Sequence, residues 1–299
     1  MSDSGPSPQG PNGTVSWGAL LAETRHLLES SGEVENPRQE AKWILEEVTG
    51  TSGADFADAM VGLATVRGVA HLDALVTRRR AGEPIQYVLG HWPFRSLDLM
   101  VDARVLIPRP ETEVIAGLAL LELDRSSSND RVALDLGTGS GAIGLSVAVE
   151  RPGTRVLLTD ASEHAIAVAR ANLAGLGITG GNVQIEHGSW FDAVPEELRG
   201  GIDVIVSNPP YVRVGDQLPS SVVDWEPESA LRAGGDGRDD LRVIVPGARD
   251  WLRPGGSLVL EMSAAQVDEV ANLASDAGYE VSTHKDLAGL DRGVVARWK

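Results

Sequence analysis

From residue 131 onward, short apolar, β-branched runs alternate with stretches of helical periodicity, and this alternation calls for a parallel sheet covered on both faces by helices. The spacing predicts strands over 132–136, 156–159, 183–186, 202–207 and 257–262. Helices are predicted over 141–150, 163–176, 240–252 and 265–277. Two further strands, 280–284 and 293–298, close the chain as an antiparallel hairpin at one edge, which gives about seven strands in all.

One of these strands stops abruptly. The run Val204-Ile205-Val206-Ser207 meets Asn208-Pro209-Pro210-Tyr211. Neither proline can donate to a sheet ladder, so the chain leaves the sheet stiffly, with its carbonyls unpaired. Ligands bind at the carboxyl ends of strands in open α/β sheets. The Asn208 side-chain carbonyl and the Pro209 backbone carbonyl there form a pair of acceptors suited to a planar group bearing an NH2, either a carboxamide or the amino edge of a base. Tyr211 offers a ring to pack on its face.

A second set of residues follows the first strand: Asp135-Leu136-Gly137-Thr138-Gly139-Ser140-Gly141. Glycines at this point let the backbone turn tightly and approach a ligand. Asp160 ends the next strand, where a carboxylate can accept from both hydroxyls of a ribose. This much fits a nicotinamide cofactor as well as S-adenosylmethionine. Asp135 tilts the choice, because a carboxylate there repels a pyrophosphate but suits the cationic amino-acid end of S-adenosylmethionine. After the third strand, Ser189-Trp190-Phe191 places aromatics where an adenine would lie; Trp190 is expected to contact the cofactor, whereas Phe191 fits the core equally well.

The first part of the chain reads differently. Residues 1–13 are rich in Ser, Pro and Gly and are expected to be a disordered tail. Over 14–81, apolar residues recur at helical spacing, as in Ala41, Ile44, Leu45 and Val48, and glycines and Asn36-Pro37 break them into short helices. Residues 82–107, with Trp92, Phe94, Leu97, Leu99 and Val101 alternating, suit a β-hairpin linker, and 108–299 form the sheet domain. Pro110, Glu111 and Glu113 open a helix expected to run to about Asp124.

Composition narrows the function. With no cysteines, the chain can form neither disulfides nor thiolate zinc sites, and it has no cysteine nucleophile. The six histidines are scattered, and no metal site is expected. A net charge of −17 disfavours stable binding to phosphate backbones. The row Arg78-Arg79-Arg80 reads as a solvated helix end. Nothing near the start has the make-up of a signal peptide, and no apolar run approaches membrane-spanning length, so a cytoplasmic protein is expected.

With these residues in view, the chain resembles the HemK/PrmC family of release factor glutamine methyltransferases. The resemblance rests on Asn208-Pro209-Pro210-Tyr211 together with Gly82-Glu83-Pro84, Gln86-Tyr87, Phe94 and Ile107-Pro108-Arg109-Pro110-Glu111-Thr112-Glu113. Trp225-Glu226-Pro227, Ala230-Leu231, Gly234-Gly235 and Asp291-Arg292 add to it. Residues 237–242, which lack the Gly-Leu and Tyr of the pattern, and Ser263, in the place of a glycine, depart from it.

The resemblance implies a class I S-adenosylmethionine-dependent methyltransferase fold, Rossmann-like, with a small N-terminal helical domain that grips the substrate. It implies methylation of the glutamine side-chain nitrogen in the Gly-Gly-Gln tripeptide of class 1 peptide chain release factors. Asp135, Gly137, Thr138, Gly139, Ser140, Gly141, Asp160, Trp190 and Asn208 would contact S-adenosylmethionine. Asn208, Pro209, Pro210 and Tyr211 would hold the glutamine, with Asn208, Pro209 and Tyr211 serving the chemistry. The competing expectation is an N6-adenine methyltransferase acting on DNA or RNA. A monomer is expected.

Overall fold

The computed structural model describes residues 14–177 and 182–299, and the tail at 1–13 lies outside them. The chain divides after Gly90 into two compact units.

The smaller unit is helical: α1 (Trp17–Ser31), α2 (Pro37–Thr49), α3 (Gly53–Ala59), α4 (Val66–Arg80) and α5 (Ile85–Leu89). Ser16, Asn36 and Thr65 cap α1, α2 and α4 by accepting from the backbone N–H groups of Ala19, Gln39 and Gly68. Leu28, Ala41, Ile44, Leu45, Leu72 and Leu75 form its buried centre.

The arginine row differs from the solvated helix end expected of it. Arg79 is buried and pairs with the buried Glu40 at 2.5 Å. Arg78 binds Glu83 and donates to the carbonyls of Tyr87 and Val88. The late turns of α4 thus hold α2 and α5 through charge-assisted bonds. Residues 85–89 also depart from the expected hairpin. They turn as a short helix that buries Ile85, Tyr87 and Val88 and ends at Gly90 with φ of 83°. Five residues are too few for a period of two to be told from one of 3.6.

The larger unit opens with a hairpin of β1 (His91–Phe94) and β2 (Leu97–Met100), whose Phe94, Leu97 and Leu99 pack into this unit's core. Then follow α6 (Pro110–Arg125), β3 (Val132–Leu136), α7 (Ala142–Glu150), β4 (Arg155–Asp160), α8 (Glu163–Gly175), β5 (Val183–His187) and β6 (Ile202–Ser207). After β6 come α9 (Ser220–Val223), α10 (Asp239–Gly247), β7 (Leu252–Glu261), α11 (Val267–Asp276), β8 (Glu280–Lys285) and β9 (Asp291–Arg297).

The larger sheet has seven strands in the order β5-β4-β3-β6-β7-β9-β8. Strands β3 to β7 are mutually parallel, and β9 runs antiparallel between β7 and β8. One core packs α6, α7, α8 and the hairpin on one face of the sheet; the other packs α10 and α11 on the opposite face.

The helix predicted over 240–252 stops at Gly247, one residue after Pro246, and β7 begins at Leu252 through the expected turn Arg253-Pro254-Gly255-Gly256. Gly255 donates to the Trp298 carbonyl, and Trp298 donates to that of Gly256, so this glycine stretch is a paired strand with a register shift. The strand order reverses direction between β3 and β6, which opens a crevice at their carboxyl ends.

Candidate active site

Three strand ends meet in that crevice. Beyond β3, Gly137 and Thr138 both donate to the Thr159 carbonyl of β4 at 2.9 Å, and Gly137 and Gly139 hold φ of 72° and 56°. Such angles favour glycine. A Cβ built on Gly139 would meet nothing within 4 Å, so the turn faces open space.

Asp160, the last residue of β4, accepts from Gly139 N–H at 2.9 Å and Ser162 N–H at 2.8 Å. Burial pushes its carboxyl above the usual range, and these two bonds oppose the shift. At the third strand end, Ser207 Oγ donates to the Leu136 carbonyl at 2.6 Å, which ties β6 to β3 just before Asn208.

These ends enclose a cavity of about 510 Å3. Gly137, Thr138, Gly139 and Ser140 line it from the turn, Asp160 from the end of β4, Asn208 and Pro210 from the end of β6, and Trp190 from the loop after β5. Trp190 holds φ of 45°, a conformation rarely adopted by a bulky residue. Its ring lies over Gly137, where a Cβ would come within 3.4 Å, and its indole N–H bonds Asp240.

Four predicted residues stand off this lining. Asp135, 1% exposed, turns beneath the glycine turn and accepts from Thr138 Oγ1 at 2.6 Å and Gly144 N–H at 2.8 Å. It therefore shapes the turn from behind; its Oδ1 has no partner among the described residues. Gly141 caps α7 and packs on Leu145 and Leu158. Pro209 is buried, and Tyr211 is mostly covered beside Glu261, Arg292 and Arg109. Burial and the Glu261 charge push the Tyr211 phenol up to about 12, so it stays protonated. Phe191, half-buried, packs against the core and stacks on Trp251 with centroids 6.1 Å apart.

The structure adds residues for which the strand pattern gave no reason. Arg104, Pro108, Arg109 and Thr112 wall the cavity on one side, and Pro227, Ser229 and Ala230 close another. Buried Glu226 joins these walls: its carboxylate accepts from Ile107 N–H at 3.1 Å and pairs with Arg109. Asn172 on α8 donates to the Ser140 carbonyl at 2.8 Å and exchanges bonds with the Met100 backbone, so it anchors the glycine turn to β2. The motifs quoted for the family resemblance contain Glu226 and Thr112. Nothing in the periodicity marks Asn172 or Asp240.

Burial also raises two carboxyls behind the cavity, Asp135 to about 6 and Glu261 to about 7, from usual values of 3.8 and 4.5. A carboxyl raised by folding is ionised more readily in the unfolded chain. Its cost to stability is absent below the unfolded value, grows as pH rises to the folded value, and is constant beyond. For the ligand-free protein we therefore expect the Tm to fall by several degrees between pH 5 and pH 8, a loss on the order of 3 kcal/mol. Carboxylates held low by arginines, such as Glu150 beside Arg95, lose their contribution only below this window. A Tm that is flat or rises across the window in calorimetry would contradict the two raised carboxyls.

A mostly parallel sheet with this switch point, glycine turn, terminal carboxylate and covering tryptophan suits a nucleoside-bearing cofactor, and the family comparisons make it an S-adenosylmethionine-dependent methyltransferase. Two family models match the chain: Methyltransferase small domain over residues 115–236 and PrmC N-terminal domain over residues 19–90. The chain is 44% identical to the release factor glutamine methyltransferase of Xylella fastidiosa over 226 residues, 75% of this chain and 80% of that protein. It is 41% identical to that of Coxiella burnetii over 87% of this chain and 92% of the relative. For the Geobacter sulfurreducens protein the figures are 36%, 93% and 95%. The chain belongs to the release factor glutamine methyltransferase family.

S-adenosylmethionine is the cofactor of this family's chemistry, and the residues present fit it. The open space over Gly139 admits a ligand to backbone distance, Asp160 retains acceptor capacity for a ribose, and Trp190 supplies a ring.

Proposed function

We propose that the protein transfers a methyl group from S-adenosylmethionine to the side-chain amide nitrogen, N5, of the glutamine in the Gly-Gly-Gln motif of class 1 peptide chain release factors. One observation carries this assignment. Asn208 stands on the cavity wall with its Nδ2 directed at Thr112 Oγ1, 3.3 Å away, which leaves its carbonyl end as an acceptor for an amine. An adenine amino edge satisfies the same acceptors, but the relatives' names and the charge of −17 favour a protein substrate.

Bound S-adenosylmethionine supplies an electrophilic methyl carbon on a positively charged sulfur. A glutamine nitrogen is a weak nucleophile, because its lone pair is delocalised into its own carbonyl. Asn208 Oδ1 and the Pro209 carbonyl each accept one of its N–H bonds, which fixes the plane of the nitrogen and the direction of its lone pair. Pro210, on the cavity lining, packs on the amide and excludes water. Orientation of this kind is worth roughly 7–11 kcal/mol of a bimolecular barrier, so no strong base is required. As the nitrogen–methyl bond forms, the methyl–sulfur bond would break to leave a neutral thioether, and one nitrogen proton passes to solvent.

The helical residues 14–81 recognise the release factor, and 108–299 carry the chemistry. The protein acts in the cytoplasm as a monomer, without stable nucleic-acid binding. Among the described residues no helix is long and apolar enough to cross a membrane.

The test is mass spectrometry of a purified release factor incubated with the protein and S-adenosylmethionine. We expect one methyl group on the Gly-Gly-Gln glutamine. Methyl transfer to adenine in a parallel nucleic-acid reaction, with none to the release factor, would overturn the assignment.

A further inference from the structure

We propose that Thr112, itself held by Glu261, sets which end of the Asn208 amide faces the substrate and is therefore a positioning residue for the methyl transfer proposed above. The three residues come from different elements. Asn208 follows β6, Glu261 ends β7, and Thr112 lies in the first turn of α6. Because Ser207 is in register with Leu260, Asn208 and Glu261 stand level on neighbouring strands. Thr112 is 4% exposed and Glu261 1%, so water does not compete for their bonds.

The chain of bonds has a direction. Glu261 as a carboxylate only accepts, so the single proton of the Thr112 hydroxyl goes to it. The hydroxyl oxygen then has only lone pairs to offer Asn208, and it takes the Nδ2 end at 3.3 Å. The Oδ1 end is thereby turned away from Thr112. Reversed, the amide would present its own NH2 to the substrate NH2, donor against donor. The reversed arrangement needs the Thr112 proton to point at Asn208 and a proton on Glu261.

The surroundings make that second state reachable. Glu261 faces Arg292 from β9, Arg109 and Glu111 from the head of α6, and Tyr211 from the loop after β6. Burial outweighs the two arginines and the Thr112 bond and pushes its carboxyl up to about 7. Its Oε2 has no partner among the described residues. Acidification through neutrality therefore releases the direction of the chain, and turnover falls on the acid side.

The experiment compares Thr112→Val, Thr112→Ser and Glu261→Gln with the unsubstituted protein on a release factor substrate. Thr112→Val, which keeps the volume but removes the hydroxyl, is expected to lower kcat at least thirtyfold, with cofactor Kd by calorimetry nearly unmoved. Thr112→Ser should stay within threefold of the unsubstituted kcat. In Glu261→Gln the acid limb of kcat near pH 7 should disappear. Normal kcat in Thr112→Val, or equal losses in the Val and Ser variants, would overturn the proposal.

A readout without turnover separates it from the methylation assignment. The Asn208 side-chain amide resonances, identified by their loss in Asn208→Asp, should titrate near pH 7 in the unsubstituted protein and not in Thr112→Val. Titration in a protein that methylates no release factor would sink the substrate assignment and uphold the coupling. Absence of titration in a protein that does methylate it would do the reverse.

Discussion

Replacing Asn208 by aspartate is expected to lower kcat on a release factor by about 10^3 or more, equivalent to roughly 4 kcal/mol of transition-state stabilisation. The change keeps the shape and adds an acceptor, which is why it discriminates. A carboxylate has no N–H for Thr112, whose own proton is committed to Glu261, so two acceptors would face each other at the present 3.3 Å. The aspartate must turn away or take up a proton, and either response removes the fixed acceptor from the substrate nitrogen. Cofactor affinity, which we assign mainly to the turn at 137–140, Asp160 and Trp190, should change by less than tenfold. Single-turnover kinetics with measured cofactor Kd checks this; turnover within tenfold of the unsubstituted protein would remove Asn208 from the chemistry.

Truncating Glu226 to alanine should cost about 3 kcal/mol of stability and weaken S-adenosylmethionine binding. Its carboxylate is almost fully buried and satisfies both the Ile107 N–H and the Arg109 guanidinium. Removing one member of such a pair leaves the other partner desolvated and uncompensated, a loss of about 3–5 kcal/mol for fully buried pairs. Arg109 is about one-third exposed, which places the cost at the low end. Because Glu226 joins two walls of the cavity, the loss is read both in denaturant midpoints and in calorimetric cofactor affinity. Glu226→Gln, which retains an acceptor for Ile107, should fall between. A stability loss under 1 kcal/mol with unchanged affinity would show that the two walls hold without it.

The parts of the site visible in the sequence are those that local chemistry marks. Asp160 and Asn208 end apolar strands, and a polar side chain at such an end has few structural reasons to be there. Glycines at 137 and 139 are required by backbone angles that few other residues adopt. Strands β3 to β9 were legible because β-branched runs bounded by turn formers admit few alternatives.

The illegible parts depend on partners distant in sequence. Nothing near Asn172 signals that it will bridge Ser140 and Met100, and nothing near Glu40 signals Arg79. The sequence leads one to expect Asp135 at the cationic end of the cofactor, but its side chain is spent on Thr138 and Gly144, a choice fixed only once α7 packs behind the turn. Residues 85–89 lacked the length to declare a period, and the capping Gly90 decided it.

The bond from Ile107 to Glu226 also has a history within each molecule. The partners are 119 residues apart in sequence, so at ribosomal rates of roughly 5–20 residues per second one emerges on the order of ten seconds before the other. For that interval the segment that will wall the cavity has no carboxylate to bind. Pro108 and Pro110 bracket Arg109 and have no backbone N–H, which limits the wrong strands this segment can join while it waits.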